Sequence, residues 1–406
     1  MTKNDFLAID KNSKGIPVMH ARKFLHGLLG NTIHKLRKDA LIEAVLAAID
    51  AKKLSLTAIG RAISTGIQDR SGIQKVNRLL GNPHLFSDRM MIFTKIAATL
   101  IGAKKSCDIL VDWTKYPESA DVVLRASLAA DGRSLTLYEE RHPQKKLGNR
   151  RVQKTFLQAL KDVLPIKCKP VIITDAGFYN HWFSEVQRNG WDYIGRVRGM
   201  RKYCRIDEKK FIECSKLWKQ AGVEAKSLGE VTLTEQNPFQ TRLYLIKGKL
   251  TGRKVRTKAG KVRRDKDSIN YGRSHREPWL LASSLKGRSA AKSVTNKYKL
   301  RMQIEQEFRD LKGKRYGFGL EESKTKMGDR RSILLLIGML SSLVAWTIGA
   351  AAEKMGLHCQ FQSNSIKNRR VISLVYLGCR IIKKRLKIAM RHVWDSLHQL
   401  RKGAVV

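Results

Sequence analysis

Negative charge is what this chain has least of. Only 35 Asp and Glu stand against 80 Lys and Arg, leaving a formal net charge of +45 spread through every region of the 406 residues. Such a surface points to a polyanionic partner. Nucleic acid is favoured over a membrane surface, because basic membrane binders concentrate their charge on one amphipathic helix or beside a lipid anchor, and neither pattern is present. Cysteine is also sparse: six residues, at 107, 168, 204, 214, 359 and 379, with no CxxC pair. That spacing excludes a sequence-evident zinc site or disulfide framework and fits a reduced cytosolic protein. The opening MTKNDFLAIDKNSKG lacks a basic-then-apolar signal pattern, which argues against secretion. Long apolar runs are limited to one, residues 333–352 (ILLLIGMLSSLVAWTIGAAA), uncharged and long enough to span a bilayer. It carries Gly338, Ser341, Ser342, Thr347 and Gly349, and the preferred reading is a helix buried in a large core, with no membrane partner.

A hydrophobic content of 42% is ordinary for a globular protein, and the length allows two or three domains. Residues 21–81 are helical in period and basic. Within them LTAIGRAIS, a Thr65-Gly66 turn and SGIQKVNRLLG read either as a DNA-contacting helix-turn-helix or as two helices of an ordinary bundle. Asn82-Pro83 marks a boundary. After residue 106 the period shortens. CDILVDW reads as a short apolar strand ending on Asp112, and VVLRASLA and SLTLYEER as a hairpin around Asp131-Gly132. A helix follows over 151–164, stopped by Pro165. PVIITDAGF then gives a second apolar strand ending on Asp175, followed by a helix closed at Gly190 and a strand over 191–197. Strands in a hairpin run, then alternating with helices, indicate an α/β domain around a mixed sheet. Residues 198–278 leave that plan as a small strand-rich insertion, with twelve Lys or Arg between 247 and 276 suited to nucleic-acid contact. The strand WLLASSL resumes the core.

Residues 298–312, YKLRMQIEQEFRDLK, read as one helix. Leu300, Ile304, Phe308 and Leu311 form its apolar face. At about 100° per residue, Tyr298, Arg301, Glu305 and Lys312 fall within a neighbouring arc of about 60°, able to set two cations and a phenol against phosphates and a carboxylate against a metal. Glu307, Gln303 and Asp310 share a different arc and are expected to be solvated. Asp112 and Asp175 stand where buried strands give way to loops, the usual place for ligand chemistry in open α/β sheets, although a lone aspartate there also reads as a helix cap or turn residue. If Asp112, Asp175 and Glu305 converge, each pair of charges at about 4 Å costs about 4 kcal/mol even at an effective dielectric of about 20. A hard cation, Mg²⁺ or Mn²⁺, suits such an all-oxygen set, and two ions suit phosphodiester chemistry.

Asp112 in VDW, Asp175 in TDAGF, and the spacing Y-x2-R-x3-E-x6-K from Tyr298 to Lys312 resemble the motifs of bacterial cut-and-paste insertion-sequence transposases with a DDE catalytic core, in particular the branch that cuts through hairpin ends. The resemblance covers nearly the whole chain. It implies a ribonuclease-H-like fold, a mixed sheet with a β-rich insertion flanked by helical N- and C-terminal regions, with Asp112, Asp175 and Glu305 as catalytic metal ligands. It implies that Tyr298, Arg301 and Lys312 hold phosphates near the element end, and that Trp279 stacks on a flipped base; the ordinary reading of Trp279 is a core residue opening a strand. The expected divisions are a helical DNA-binding region at 1–100, a catalytic domain at 101–330 with its insertion at about 198–278, and a helical region at 331–406. The partner would be double-stranded DNA at element ends and target, with a homodimer in the DNA complex and a bacterial cytoplasmic, nucleoid-associated location. Two other classes are a non-catalytic DNA-binding protein or inactive transposase relic, and another ribonuclease-H-like nuclease. The first would lose a carboxylate or the phosphate clamp, and all are present; the second gives no reason for the Y-x2-R-x3-E-x6-K spacing.

Overall fold

A computed structural model describes residues 14–402 apart from 16, 64–67, 248–256, 258–259, 267, 270–271, 273–276 and 367. The Thr65-Gly66 turn and most of the basic 247–276 stretch therefore lie outside the described residues. In chain order, strand β1 (Lys14–Gly15) precedes helices α1 (Pro17–Leu29), α2 (Lys35–Ala51), α3 (Leu56–Ala62), α4 (Asp69–Leu80) and α5 (Pro83–Ile101). Strands β2 (Asp108–Lys115), β3 (Asp121–Ala129) and β4 (Ser134–Pro143) follow, then α6 (Arg150–Val163), β5 (Val171–Thr174), α7 (Asn180–Arg188), β6 (Asp192–Val197), β7 (Lys202–Arg205), β8 (Ile212–Glu213), β9 (Lys226–Leu233), β10 (Phe239–Ile246) and β11 (Trp279–Ser283). The chain continues through α8 (Ala290–Lys299), α9 (Met302–Lys312), α10 (Gly328–Lys354), α11 (Leu374–Lys384), β12 (Ile388–Ala389) and α12 (Met390–Lys402). These elements form two compact units, one comprising Met1–Leu147, Gln158–Cys168 and Met302–Val406, the other Gly148–Leu157 and Lys169–Arg301.

The first unit is organised around α10. Its apolar run is buried on all sides, as a helix hydrophobic all round must be, and it is the helix among the described residues long and apolar enough to cross a membrane. Its polar side chains turn inward on the helix itself: Ser341 donates to the Ile337 carbonyl and Thr347 to that of Leu343, each at 2.8 Å. Glycine sets the approach of α11, since a Cβ on Gly378 would stand 1.8 Å from the Ala345 carbonyl oxygen. The N-terminal helices cover the same core. Asn82, read from sequence as a boundary, caps α5 by accepting from the Leu85 amide at 2.9 Å, with Pro83 in the first turn. Ser55 caps α3, and a Cβ on Gly60 would stand 2.5 Å from Ile73 Cα, so α3 and α4 touch backbone to backbone. Strands β2, β3 and β4 pair antiparallel, with Gly132 at φ +66° in the β3–β4 turn.

In the second unit β5 and β6 are parallel, and β11 pairs antiparallel with both β6 and β10. From there the order runs β5-β6-β11-β10-β9-β7-β8. The strands of the stretch after residue 198 join the sheet that β5 and β6 begin: β11 pairs with β6, β10 with β11 and β9 with β10. Phe183 of α7 stacks on Tyr193 of β6 at 4.6 Å between ring centroids, and the contact depends on Gly195, where a Cβ would stand 2.2 Å from the Phe183 ring.

Three sequence expectations are corrected. The helix expected over 298–312 is two helices, α8 and α9. With no Gly or Pro to interrupt it, the break is made by hydrogen bonding: the Leu300 and Arg301 amides bond to the Lys297 and Tyr298 carbonyls, three residues back, which tightens the turn and ends the four-residue ladder. Asp112 does not end its strand. β2 runs on to Lys115, and what stops at Asp112 is burial, since Ile109, Leu110 and Val111 are buried and the residues from Asp112 onward are not. Glu307 and Asp310 are buried, each 6% exposed, rather than solvated.

Candidate active site

In the first unit the cross-strand register sets Asp112 of β2 opposite Arg125 of β3, and Arg125 opposite Glu139 of β4. Directly opposed residues share a sheet face, so Asp112, Arg125 and Glu139 form one row. Thr114, two residues beyond Asp112, lies on that face too. Its hydroxyl accepts from Lys312 Nζ at 2.5 Å, which ties the end of α9 to the strand that carries Asp112. Glu305 and Lys312, seven residues apart, differ by only about 20° around α9, so the half-buried Glu305 shares the Lys312 side of the helix. Burial, then the nearby Arg125 charge, lowers the Lys312 pKa to about 8, while Glu321 and Asp112 act to raise it.

Arg125 is a fully buried charged side chain of this unit, 1% exposed. Its Nε reaches Glu139 Oε2 at 2.9 Å and its Nη1 reaches Glu307 Oε1 at 3.2 Å. Glu307 also accepts from Ser134 Oγ at 2.5 Å and from Thr136 Oγ1. Breaking a buried pair of this kind by deleting one partner costs about 3–5 kcal/mol, because the other charge is stranded. Sequence reading passed over Arg125 as a site residue and took Glu307 to be solvated. Arg125 alone carried a signal, a charge inside the apolar strand VVLRASLA.

In the second unit Asp175 directly follows β5, half-buried, and its Oδ1 accepts from the Gly177 amide at 2.7 Å. A Cβ on Gly177 would stand 3.0 Å from that oxygen, so the glycine lets the backbone close on the carboxylate. Tyr298 of α8 is 4% exposed and meets Trp279 edge-on, with ring centroids 5.0 Å apart at 74°. Burial pushes the Tyr298 phenol up, against the charges of Arg301, which hydrogen-bonds to it, and Arg196; Asp175 adds to the rise. It remains a neutral hydrogen-bond donor at physiological pH. Trp279, half-buried, opens β11 opposite Ile246. Arg196, in β6, is ion-paired with Glu277 at 3.8 Å.

The structure therefore gathers Asp112, Glu305 and Lys312 on neighbouring elements of one unit, and Asp175, Tyr298, Arg301 and Trp279 in the other. Among the described residues no three His, Cys, Asp or Glu side chains are grouped as a ready-made metal site. By donor chemistry the three carboxylates suit a hard cation and not zinc.

The family described as "Transposase DDE domain" matches residues 104–343, more than half of the chain and the whole span from β2 into α10. The chain belongs to the DDE transposase family. No curated protein matches it. A transposase of this family is a mixed α/β protein with a ribonuclease-H-like core, and the strands and helices of the two units fit that description. The family span includes Asp112, Asp175, Trp279, Tyr298, Arg301, Glu305 and Lys312.

Proposed function

We propose that this transposase binds the terminal inverted repeats of an insertion sequence, cuts its ends through hairpin intermediates and joins the element to target DNA. The observation that carries the reading is the family match, which spans every residue of the D, D and Y-x2-R-x3-E-x6-K motifs. Asp112, Asp175 and Glu305 would hold Mg²⁺ or Mn²⁺. Bound divalent ions would supply Lewis-acid charge to the phosphodiester and activate water. The chain's own groups orient the DNA. Lys312, held by Thr114 beside the Asp112 strand, presents a cation to a phosphate, and Tyr298 and Arg301 present a neutral donor and a guanidinium. Each chemical step is an in-line displacement at phosphorus: water cuts one strand and leaves a 3′-OH, that hydroxyl attacks the opposite strand to close a hairpin, water reopens it, and the freed 3′-OH attacks target DNA. One carboxylate set serves all of them without ATP or a covalent protein intermediate.

Trp279, edge-on to Tyr298, would turn its indole face to a flipped base. The region 1–100 would read the inverted repeat, with exposed Arg70, Lys75 and Arg78 of α4 as its basic face. Region 331–406 would add the core-packing helix and basic helices for DNA contact or dimerisation. A homodimer on DNA in a bacterial cytoplasm completes the reading. The test is an end-labelled duplex carrying the inverted repeat that flanks the gene, incubated with the protein and Mg²⁺ and resolved on a denaturing gel. Nicked and hairpin products that appear only on the repeat-bearing duplex support the proposal. No product at any protein concentration, or equal cutting of unrelated duplex, contradicts it.

A further inference from the structure

We infer that the buried Arg125–Glu307 pair sets the position of α9 for strand cleavage, which makes Arg125 and Glu307 positioning residues of the reaction. The inference rests on the reading of Asp112 and Glu305 as cutting carboxylates. Its starting point is a second polar stripe on α9. Gln303, Glu307 and Asp310 fall within an arc of about 60°, on the side of the helix away from Glu305 and Lys312. All three are bonded to the β3–β4 hairpin. Gln303 Oε1 accepts from the Ala130 amide at 3.0 Å, Glu307 takes Arg125, Ser134 and Thr136, and Asp310 Oδ2 accepts from Arg133 Nε at 2.6 Å.

Apolar packing alone leaves a helix free to roll, because burial is non-directional. Ile304, Phe308 and Leu311 hold α9 down but cannot fix its rotation. Charge-assisted bonds to a carboxylate have a preferred geometry, and a guanidinium offers a rigid fork of donors. Arg125 is placed to use it: β2–β3 pairing locks it opposite Asp112, Glu139 fixes its other edge, and its guanidinium lies 5.0 Å from the centre of the Phe308 ring. One side chain thus joins the strand row of Asp112 to the helical turn that carries Glu305. Any roll of α9 that moved Glu305 would break the Glu307 bonds.

The test compares Glu307→Ala, Glu307→Gln and the triple variant Arg125→Met, Glu139→Met and Glu307→Met, which removes all three buried charges and so leaves none stranded. Three quantities are read: single-turnover cleavage at saturating labelled element-end DNA, affinity for that DNA in EDTA, and amide hydrogen exchange of α9 in the metal-free protein. Glutamine keeps an oxygen for Arg125 and Thr136 and an amide that donates to Ser134, so cleavage should slow by less than about tenfold. Glu307→Ala and the triple variant should slow cleavage about a hundredfold, the effect of a displacement of about 1 Å, with DNA affinity within about threefold. Exchange should rise in α9 and stay unchanged in α10. Wild-type cleavage by either variant with faster α9 exchange would overturn the inference, as would unchanged α9 exchange. If the wild-type protein itself leaves the DNA intact, the proposed function fails instead, and the exchange measurement still decides whether the pair holds the helix.

Discussion

Lys312 gives a charge that switches within a convenient pH range. Burial and Arg125 bring its pKa to about 8, so in the free protein about nine-tenths of it is charged at pH 7 and about one-tenth at pH 9. A bound phosphate favours the cation and raises that pKa. Affinity for the element end should then fall about tenfold between pH 7 and 9, a loss of about 1.4 kcal/mol. Lys312→Arg keeps its charge throughout and should show a nearly flat profile. The assay is fluorescence anisotropy with a labelled end duplex in EDTA at fixed ionic strength, from pH 6.5 to 9.5. Folding stability runs the other way. Below about pH 8 the lysine is charged in both folded and unfolded chains and the burial penalty is fully present. Between about 8 and 10.5 the native state has released a proton that the unfolded state retains, so stability rises with pH in that window. Parallel binding profiles for wild type and Lys312→Arg would refute both the depressed pKa and the phosphate contact.

Trp279→Ala should lower hairpin yield about ten- to a hundredfold while first-strand nicking survives, since stacking a flipped base on an aromatic ring contributes about 1–3 kcal/mol. Loss of both products on the same gel would make Trp279 a structural residue. End affinity should fall with salt at a log-log slope of about 0.9 per phosphate contact, and neutralising the basic residues between 253 and 276 should flatten it. An unchanged slope would remove that stretch from the DNA contact. Gly378→Ala places a Cβ against the Ala345 carbonyl and should lower thermal stability by about 1–3 kcal/mol; an unaltered melting temperature would refute the close α10–α11 approach.

Local pattern carried the strands well. The β3–β4 hairpin turns at Asp131-Gly132, β5 gives way to Asp175, and the uncharged 333–352 run is a core helix, each decided by a few neighbouring residues. The α8–α9 break was invisible because Leu300, Ile304, Phe308 and Leu311 keep a helical period straight through it, and it is made by two backbone bonds that no side chain announces. Glu307 was misplaced for a different reason. Its arc around the helix was right, but the hairpin facing that arc brings Arg125 from 182 residues away, and no local pattern records such a partner. The sheet extension through β11 was hidden likewise, since WLLASSL shows a strand but not which strands it joins.

The most direct measurement of the central claim is cleavage of the labelled element end by Asp112→Asn, Asp175→Asn and Glu305→Gln, alongside affinity for the same duplex. Each change removes one negative charge at nearly constant shape. All three variants should bind the end as the wild-type protein does and yield neither nick nor hairpin. Wild-type cutting by any one of them would contradict the assignment of the three carboxylates to one cutting centre.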